Sequence, residues 1–394
     1  MHAAVHSSIG ELDRAAWNRL DQTNNPFLRH EFLLALESEH CIGRGTGWTP
    51  AILALHDHHG LAAAAPAYIK AHSYGEFVFD FAWAQAYSRL GLDYYPKLVV
   101  GVPFTPASGP RLLLRDPADA VLRGRLIDEL QHAAQEHGWS SIHALFAAAV
   151  DNVALREAGW LARRDVQFHW HNRGYTSFDD YLGTFTADKR KKAKRERRRV
   201  QESGVEFLTV SGPAIDRDVL DAVYALHRHT FLRHGHEPYL TRNFFRVIPA
   251  LLGEQFMLKL AMQGGELVAA AVFFWHDDAL FGRYWGAADE FHSLHFEACY
   301  HQGIEFCIDR GIRHFEPGTQ GEHKISRGFE PTITRSAHWI ADSRFRDAIA
   351  DYLQREGSHV DEYASAVRAH VPYRDIRSDA RGLAPNGTSI MPNK

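Results

Sequence analysis

Ten consecutive residues of this 394-residue chain bring two carboxylates, an amide, an imidazole and an amine together: Phe315-Glu316-Pro317-Gly318-Thr319-Gln320-Gly321-Glu322-His323-Lys324. A predicted strand ends at Glu316 and enters a glycine-rich turn, and loops at strand ends are where sites usually sit. Glu316, Glu322 or His323 could take the proton of an attacking amine, and Lys324 could hold a developing oxyanion. The alternative is a polar surface loop. A second stretch is Arg283-Tyr284-Trp285-Gly286, followed by His295-Phe296-Glu297-Ala298-Cys299-Tyr300-His301. On a helix Glu297 and His301 lie four residues apart on one face, and a carboxylate beside an imidazole moves a proton near neutral pH. The plainer reading is a satisfied polar pair on a half-buried helix. Arg283 is a second candidate to hold an oxyanion. Trp285, His295, Glu297, Tyr300 and Gln320 are candidate substrate contacts.

The third stretch is Lys189 to Arg199, in which nine residues are basic and one is acidic. Every residue in it is a fair helix former, and Asp188 is placed to cap it. Its charges point all ways around three turns, so it is not expected to bury a face. Like charges four residues apart repel, so such a helix needs an anionic companion. That companion is either an anionic donor, nucleic-acid backbone or acidic lipid, or acids of the same chain such as Asp179 and Asp180. Lys189, Arg190, Lys192, Arg195 and Arg199 are the candidate anion-binding residues. A fourth stretch joins Tyr94-Tyr95-Pro96-Lys97 to Val102-Pro103-Phe104-Thr105-Pro106. It is a pocket wall, with Tyr94, Tyr95 and Lys97 touching substrate, or simply a packed loop.

Histidine is abundant at 26 residues. One group is His56, His58 and His59; another is His227, His229, His234 and His236. Neither has the carboxylate or cysteine company of a zinc site, and no HExxH is present. They read as surface histidines, and no metal site is expected. Walker A, post-strand GxGxxG and GxSxG patterns are missing as well.

These groups must be positioned by elements that the apolar pattern marks out. The first half predicts a helix over Glu11–Leu20 and a second from about Pro26. A strand pair follows, Pro50–Leu55 and Leu61–Ile69, around the polar turn 56–60. Residues 73–111 read as loops with broken strand pieces. A helix over Pro117–His137, capped by Asp116, and a strand over Ser141–Phe146 complete that half. The second half opens with a strand over Val166–His171. There Val166, Phe168 and Trp170 share one face and Gln167, His169 and His171 the other. The basic helix, a strand over Val205–Val210 and a helix over Asp216–Arg233 come next. Three hairpin-linked strands follow, Phe256–Met262, Glu266–Trp275 and Leu280–Gly286. A helix over Leu294–Arg310, strands over Ile312–Glu316 and Ile333–Ile340, and a helix over Arg344–Arg355 close the fold. The same α+β order thus occurs twice, which predicts a duplicated unit: 1–165, then 166–377, with 378–394 a disordered tail.

Composition narrows the class. At 45% hydrophobic and 23% charged the chain has a full core, which excludes disorder and fibrous repeats. Three cysteines cannot form a disulfide framework, and they point to a reducing compartment. No signal peptide is visible and no apolar run is long enough to span a membrane, so the expected location is the cytoplasm. The net charge of −4 is misleading. The basic run carries +8, leaving −12 for the remainder, so one cationic element sits in an acidic protein.

Taken together these stretches resemble the FemAB-like group of predicted N-acyltransferases, a branch of the GNAT superfamily related to peptidoglycan-bridge enzymes. The resemblance is carried by FDFAWA (79–84), LDYYPKL (92–98), VPFTP (102–106), Phe168-His169-Trp170, FDDYL (178–182) with the basic helix, and GRYWG (282–286). It continues through His295-Phe296-Glu297, Cys299-Tyr300, Gln302 to Glu305 and the Phe315–Lys324 run. It implies α+β (mixed α/β) architecture with tandem GNAT-like domains, mostly antiparallel sheets and flanking helices. It also implies transfer of an acyl or aminoacyl group to an amine on a small molecule or peptide by direct attack, with no permanent cofactor. Acyl-CoA or aminoacyl-tRNA would be the anionic co-substrate. Fem enzymes use aminoacyl-tRNA, and their second domain opens with a basic helix where Lys189–Arg199 stands here. Ordinary GNAT enzymes hold acetyl-CoA on a [QR]-x-x-G-x-[GA] turn, where this chain has the glycine-free Ala287-Ala288-Asp289-Glu290-Phe291-His292. The long coiled-coil arm of Fem enzymes is not visible. Two other readings stay open from the residues alone: a non-catalytic module binding RNA or an anionic glycan through the basic helix, and a histidine-metal protein.

Overall fold

The computed structural model describes residues 1–289, 293–319 and 321–374. The first half contributes β1 (His2–His6), α1 (Arg14–Asn18), α2 (His30–Ser38), β2 (Trp48–Pro50), β3 (Ile52–Asp57), β4 (Gly60–Ala65) and β5 (Ala67–Lys70). It continues with α3 (Phe81–Arg89), β6 (Lys97–Val100), β7 (Leu113–Leu114), α4 (Ala120–His137), β8 (Ser141–Ala144) and α5 (Ala149–Glu157). Strand β9 (Leu161–His171) leads into α6 (Phe178–Gly183), α7 (Ala187–Glu202), β10 (Val205–Ser211), α8 (Arg217–Arg233) and α9 (Arg242–Leu252). Then come β11 (Phe256–Gln263), β12 (Glu266–His276), β13 (Ala279–Ala287), α10 (Leu294–Phe296), a π-helical turn (Glu297–His301) and α11 (Gln302–Arg310). Strand β14 (His314–Glu316), a 3₁₀ turn (Glu322–Arg327), β15 (Glu330–Ile340) and α12 (Ser343–Arg368) complete the described chain.

Eleven strands form one sheet in the order β10-β11-β12-β13-β14-β9-β15-β8-β6-β5-β2, and β1-β3-β4-β7 form a second. Neighbours pair antiparallel with two exceptions among the described residues, β6 with β8 and β13 with β14. Each parallel pair is joined through a helical crossover, by α4 in one case and by α10 to α11 in the other. The mostly antiparallel sheets flanked by helices are the architecture the sequence predicts, while the parallel strand–helix–strand unit, used twice, is what the structure adds. The division at 165/166 falls inside β9, which pairs with β14 on one side and β15 on the other. Strand β15, the last of the chain, pairs with β8 of the first half. The core crosses the same line, with the Phe27 ring tilted against Phe274 at 5.1 Å and edge-on to Phe281 at 5.0 Å.

Several elements differ from expectation. The arm 61–69 splits at Pro66, which has no N–H to give a ladder, and the chain moves from one sheet to the other. Residues 73–111 contain helix α3, whose Trp83 and Tyr87 are buried four residues apart; its aromatics read as strand. Helices α5 and α9 were not expected. Helix α9 contains Pro249 in its interior and buries Phe244, Phe245, Ile248 and Leu252 along one face. Helix α4 is capped by Asp119, which accepts from the Leu122 N–H, while Asp116 serves Ala118. Thr186, not Asp188, is the N-cap residue of α7. Helix α12 runs past Gly357, whose missing side chain lets it lie against Arg164. The tail from 378 lies outside the described residues.

Candidate functional site

Strands β13 and β14 pair only at Ala279–His314, Leu280–Phe315 and Phe281–Glu316. The next residues, Gly282 and Pro317, meet so closely that a β-carbon on Gly282 would lie 3.3 Å from Pro317 Cα. Beyond them β13 runs on to Ala287 while β14 has ended, so the sheet forks. A cavity of about 120 Å³ lies at the fork, lined by Gly282, Arg283, Trp285, His295, Cys299, Tyr300 and Pro317 among others. Opposite β12 the ladder slips between Val272–Tyr284 and Phe273–Gly282, leaving Arg283 as the extra residue of a bulge. A bulge re-aims its side chain. Here the guanidinium reaches across to the Phe104 carbonyl of the first half.

On the helical side of the fork the π turn carries Tyr300, whose hydroxyl lies 2.8 Å from His323 Nε2. Lys324 is buried and donates to the Gly318 carbonyl at 2.6 Å. Burial pushes its amine down to about 7. Burial, with the charges of His323, Lys324 and Arg327, pushes His295 down to about 4. The basic helix packs here. Contrary to expectation it has a buried seam, Ala193, Glu196 and Val200. Glu196 takes Arg327 at 3.1 and 2.8 Å. Arg197 pairs with Glu297 at 3.1 Å and Glu305 at 2.8 Å, over the Phe178 ring. Lys194 pairs with Asp179, whereas Asp180 bonds Thr176 instead. The expected Glu297–His301 pair is not made. Glu297 bonds Arg197 and Gln302, and His301 lies 3.8 Å from Glu196.

The opposite side is lined by β9, β14 and the loop 102–109. Glu316 is buried, with Oε1 3.2 Å from His314 Nε2 and Oε2 accepting the Ser108 N–H at 3.3 Å. Burial works against its charge, but His169, His314 and the Ser108 N–H hold it below the usual glutamate range. His169 is itself pushed down to about 4 by burial. Its Nε2 lies 3.1 Å from Gln167 Oε1, and Gln167 Nε2 donates to the Pro106 carbonyl. One loop of the first half thus touches Arg283, Gln167 and Glu316. Phe104 in that loop has φ +57°, a conformation a bulky residue keeps only when held. The Arg283 bond and a stacked Tyr239 ring at 4.9 Å hold it.

The structure therefore gathers Glu316, Arg283, Trp285, His295, Tyr300, His323 and Lys324 around the fork, on its two sides. Glu322 points away, accepting from Tyr363 Oη at 2.7 Å. Tyr94 and Lys97 belong to a separate buried cluster, in which Lys97 pairs with Asp80, Glu76 and Ser73, and Tyr95 bonds Ser73. Tyr94 and Lys97 are both buried there, Lys97 completely. Lys192 and Arg195 are exposed on α7, Lys189 and Arg190 are half-buried, and Arg199 lies near its end. Gln320 lies outside the described residues. Gln167, His169, His314 and Ser108 were missed. The alternation on β9 separates Gln167 and His169 from the apolar face, but it gives no hint of Glu316 opposite. His227, read as a surface histidine, is buried among Phe231, Phe245 and Tyr284. No helix among the described residues is long and apolar enough to cross a membrane.

The profile of the FemAB-like family, described as peptidoglycan biosynthesis/recognition, matches residues 8–375. No curated protein matches the chain. Among solved structures, FemX is similar with a TM-score of 0.54 and 11% identity over 89% of this chain and 100% of its own. The C-terminal domain of a putative lysylphosphatidylglycerol synthetase from Agrobacterium fabrum is similar with a TM-score of 0.54 and 10% identity, covering 88% and 97%. A tandem GNAT protein from the clavulanic acid biosynthesis pathway covers 86% and 98%, at 10% identity and a TM-score of 0.43. The first two likenesses are likenesses of fold.

Proposed function

The chain belongs to the FemAB-like family, and from that premise we propose that it is a transferase that passes an acyl or aminoacyl group to an amine through the β13–β14 fork. The donor lies on the helical side, its anionic part against the exposed charges of α7. The amine acceptor lies on the β9 side and attacks the donor carbonyl directly. Glu316 takes the amine proton, and Arg283 or Lys324 faces the carbonyl oxygen as it gains charge. The new bond is C–N, and the departing thiol or ribose hydroxyl leaves with a proton. The observation that carries this reading is the fork itself. It joins a buried carboxylate on one face to a cationic helix on the other, and so separates acceptor from donor.

The family description points to a peptidoglycan precursor as the acceptor, through an amine of its peptide. Aminoacyl-tRNA suits the cationic helix as donor; acyl-CoA is the other candidate. Purified protein is assayed with each donor and an amine-bearing precursor. Glu316→Gln should slow transfer by about 10²–10⁴ while leaving the fold intact. An unchanged rate removes Glu316 from this role. Salt-sensitive RNA binding with no turnover for any donor would favour the non-catalytic binding module instead.

A further inference from the structure

We infer that His169, His314 and Glu316 form a binding site for a divalent transition-metal ion of the zinc type, and that the ion blocks the acceptor side of the fork. The inference concerns the regulation of the proposed site and rests on that reading only for its effect on transfer.

One ligating atom from each of the three residues lies within 4.8 Å of the other two, the one such group of histidine, cysteine and carboxylate among the described residues. The strands hold them together. His314 and Glu316 sit two apart on β14 and so face one way, and β9 runs alongside with His171 opposite His314. Two imidazoles and one carboxylate suit Zn²⁺, Co²⁺ or Ni²⁺ rather than Mg²⁺ or Ca²⁺, which select oxygen. The 3.2 Å between His314 Nε2 and Glu316 Oε1 is close to the spacing of about 3.4 Å between ligands of a four-coordinate ion with bonds of about 2.1 Å.

The surrounding bonds prepare the ligands. Gln167 Nε2 donates to the Pro106 carbonyl at 3.0 Å, which places Oε1 against His169 Nε2 at 3.1 Å. The reverse amide orientation would set two oxygens together, so this one stands. An amide oxygen only accepts, so His169 Nε2 carries the hydrogen and Nδ1 carries a lone pair. Metal-ligating histidines are tied in this way by their second nitrogen. Glu316 is likewise fixed, its Oε2 held by the Ser108 N–H. Three protein ligands leave a fourth position open, as in zinc sites that admit water. With the ion on it, Glu316 no longer takes a proton, so the loaded protein is the inactive form.

The test uses tag-free full-length protein stripped with a chelator and titrated with Co²⁺, read by visible ligand-field absorption, with Zn²⁺ as competitor. One equivalent should bind with a tetrahedral-type spectrum. His314→Ala and His169→Ala should each weaken binding at least about a hundredfold. Gln167→Leu, which touches no metal, should weaken it about 10–100-fold. Circular dichroism checks that each variant is folded, and if the histidine variants unfold, Gln167→Leu decides. Failure to bind one equivalent, or equal affinity in wild type and the folded variants, overturns the inference. Transfer by stripped protein is measured separately, and Zn²⁺ should abolish it. Metal binding without any transfer would overturn the acyltransferase reading and leave the metal site standing. Transfer without metal binding would do the reverse.

Discussion

Gly282 of β13 and Pro317 after β14 touch at the point where the two parallel strands part, and the cavity lined by Arg283, Trp285 and Tyr300 begins there. A β-carbon at Gly282 would meet Pro317 Cα at 3.3 Å and the Phe315 ring at 3.4 Å. Gly282→Val should therefore wedge the fork and fill its floor. We expect kcat/KM to fall at least tenfold, with about 1–3 kcal/mol lost from overpacking. Steady-state kinetics beside urea unfolding checks both numbers; full activity in a folded variant would move the donor elsewhere.

The Glu196–Arg327 pair ties the basic helix to the 3₁₀ turn that carries His323 and Lys324. Removing one partner of a largely buried pair strands the other charge. Glu196→Gln should cost about 3 kcal/mol or somewhat less, since Glu196 keeps some exposure. A double-mutant cycle with Arg327→Met isolates the coupling, which should be recovered in large part when both are replaced.

Lys97 separates structural from catalytic roles. Lys97→Met would leave Asp80 and Glu76 buried without their shared cation. A loss of about 3–5 kcal/mol in chemical denaturation is expected. The kcat/KM of the folded fraction should stay near wild type. A selective loss of activity at unchanged stability would return Lys97 to the substrate contacts that its sequence context suggested.

Charge reversal on the exposed face of α7 tests donor docking. Lys192→Glu with Arg195→Glu should raise the donor KM at low salt and leave kcat little changed. With a nucleic-acid donor the slope of log affinity against log salt should shrink by about two. Equal KM values at every salt concentration would mean that this face serves the chain's own acids only.

His227 offers a pH test. Its ring nitrogens are buried without hydrogen-bond partners, and burial pushes its imidazole down to about 3. The unfolded chain takes up a proton near pH 6.5 that the folded chain refuses. Stability is therefore complete above about pH 6.5 and declines as pH falls from there toward 3. His143, His169 and His295 act in the same sense. His227→Phe should hold or raise the melting temperature at pH 7 and reduce its fall between pH 7 and 5. An unchanged pH slope would show that His227 is not a contributor.

A different kind of close contact sits at Gly286, whose β-carbon would lie 2.3 Å from the Leu226 carbonyl carbon. Helix α8 thus packs its backbone directly on β13. Gly286→Ala should separate the two and lose more than 3 kcal/mol, since neither backbone can yield. Thermal melting measures it.

Much of this protein was legible in its residues. Alternation and helical spacing marked out most elements of the second half, because their apolar periods are regular and their turns carry glycine or aspartate. The Phe315–Lys324 run and Arg283 marked one edge of the site, because charged residues seldom crowd an apolar strand end without reason. The aromatics of α3 misled, since a strand former yields to tertiary packing when a whole face is buried. What the local pattern could not contain is pairing between distant segments. Glu297 and His301 look like partners four residues apart, but a π turn and Arg197, a hundred residues earlier, take Glu297 away. The meeting of Glu316 with His169, His314 and Ser108 likewise depends on which strands become neighbours. The sequence by itself determined most element types of the second half, the cationic helix and the residues able to do chemistry, because these follow from local propensity and charge. Only the tertiary structure decided that β13 and β14 lie parallel and fork, and that a loop of the first half bonds Arg283, Gln167 and Glu316 of the second. Register and crossover are settled by long-range burial, which no short stretch of residues encodes.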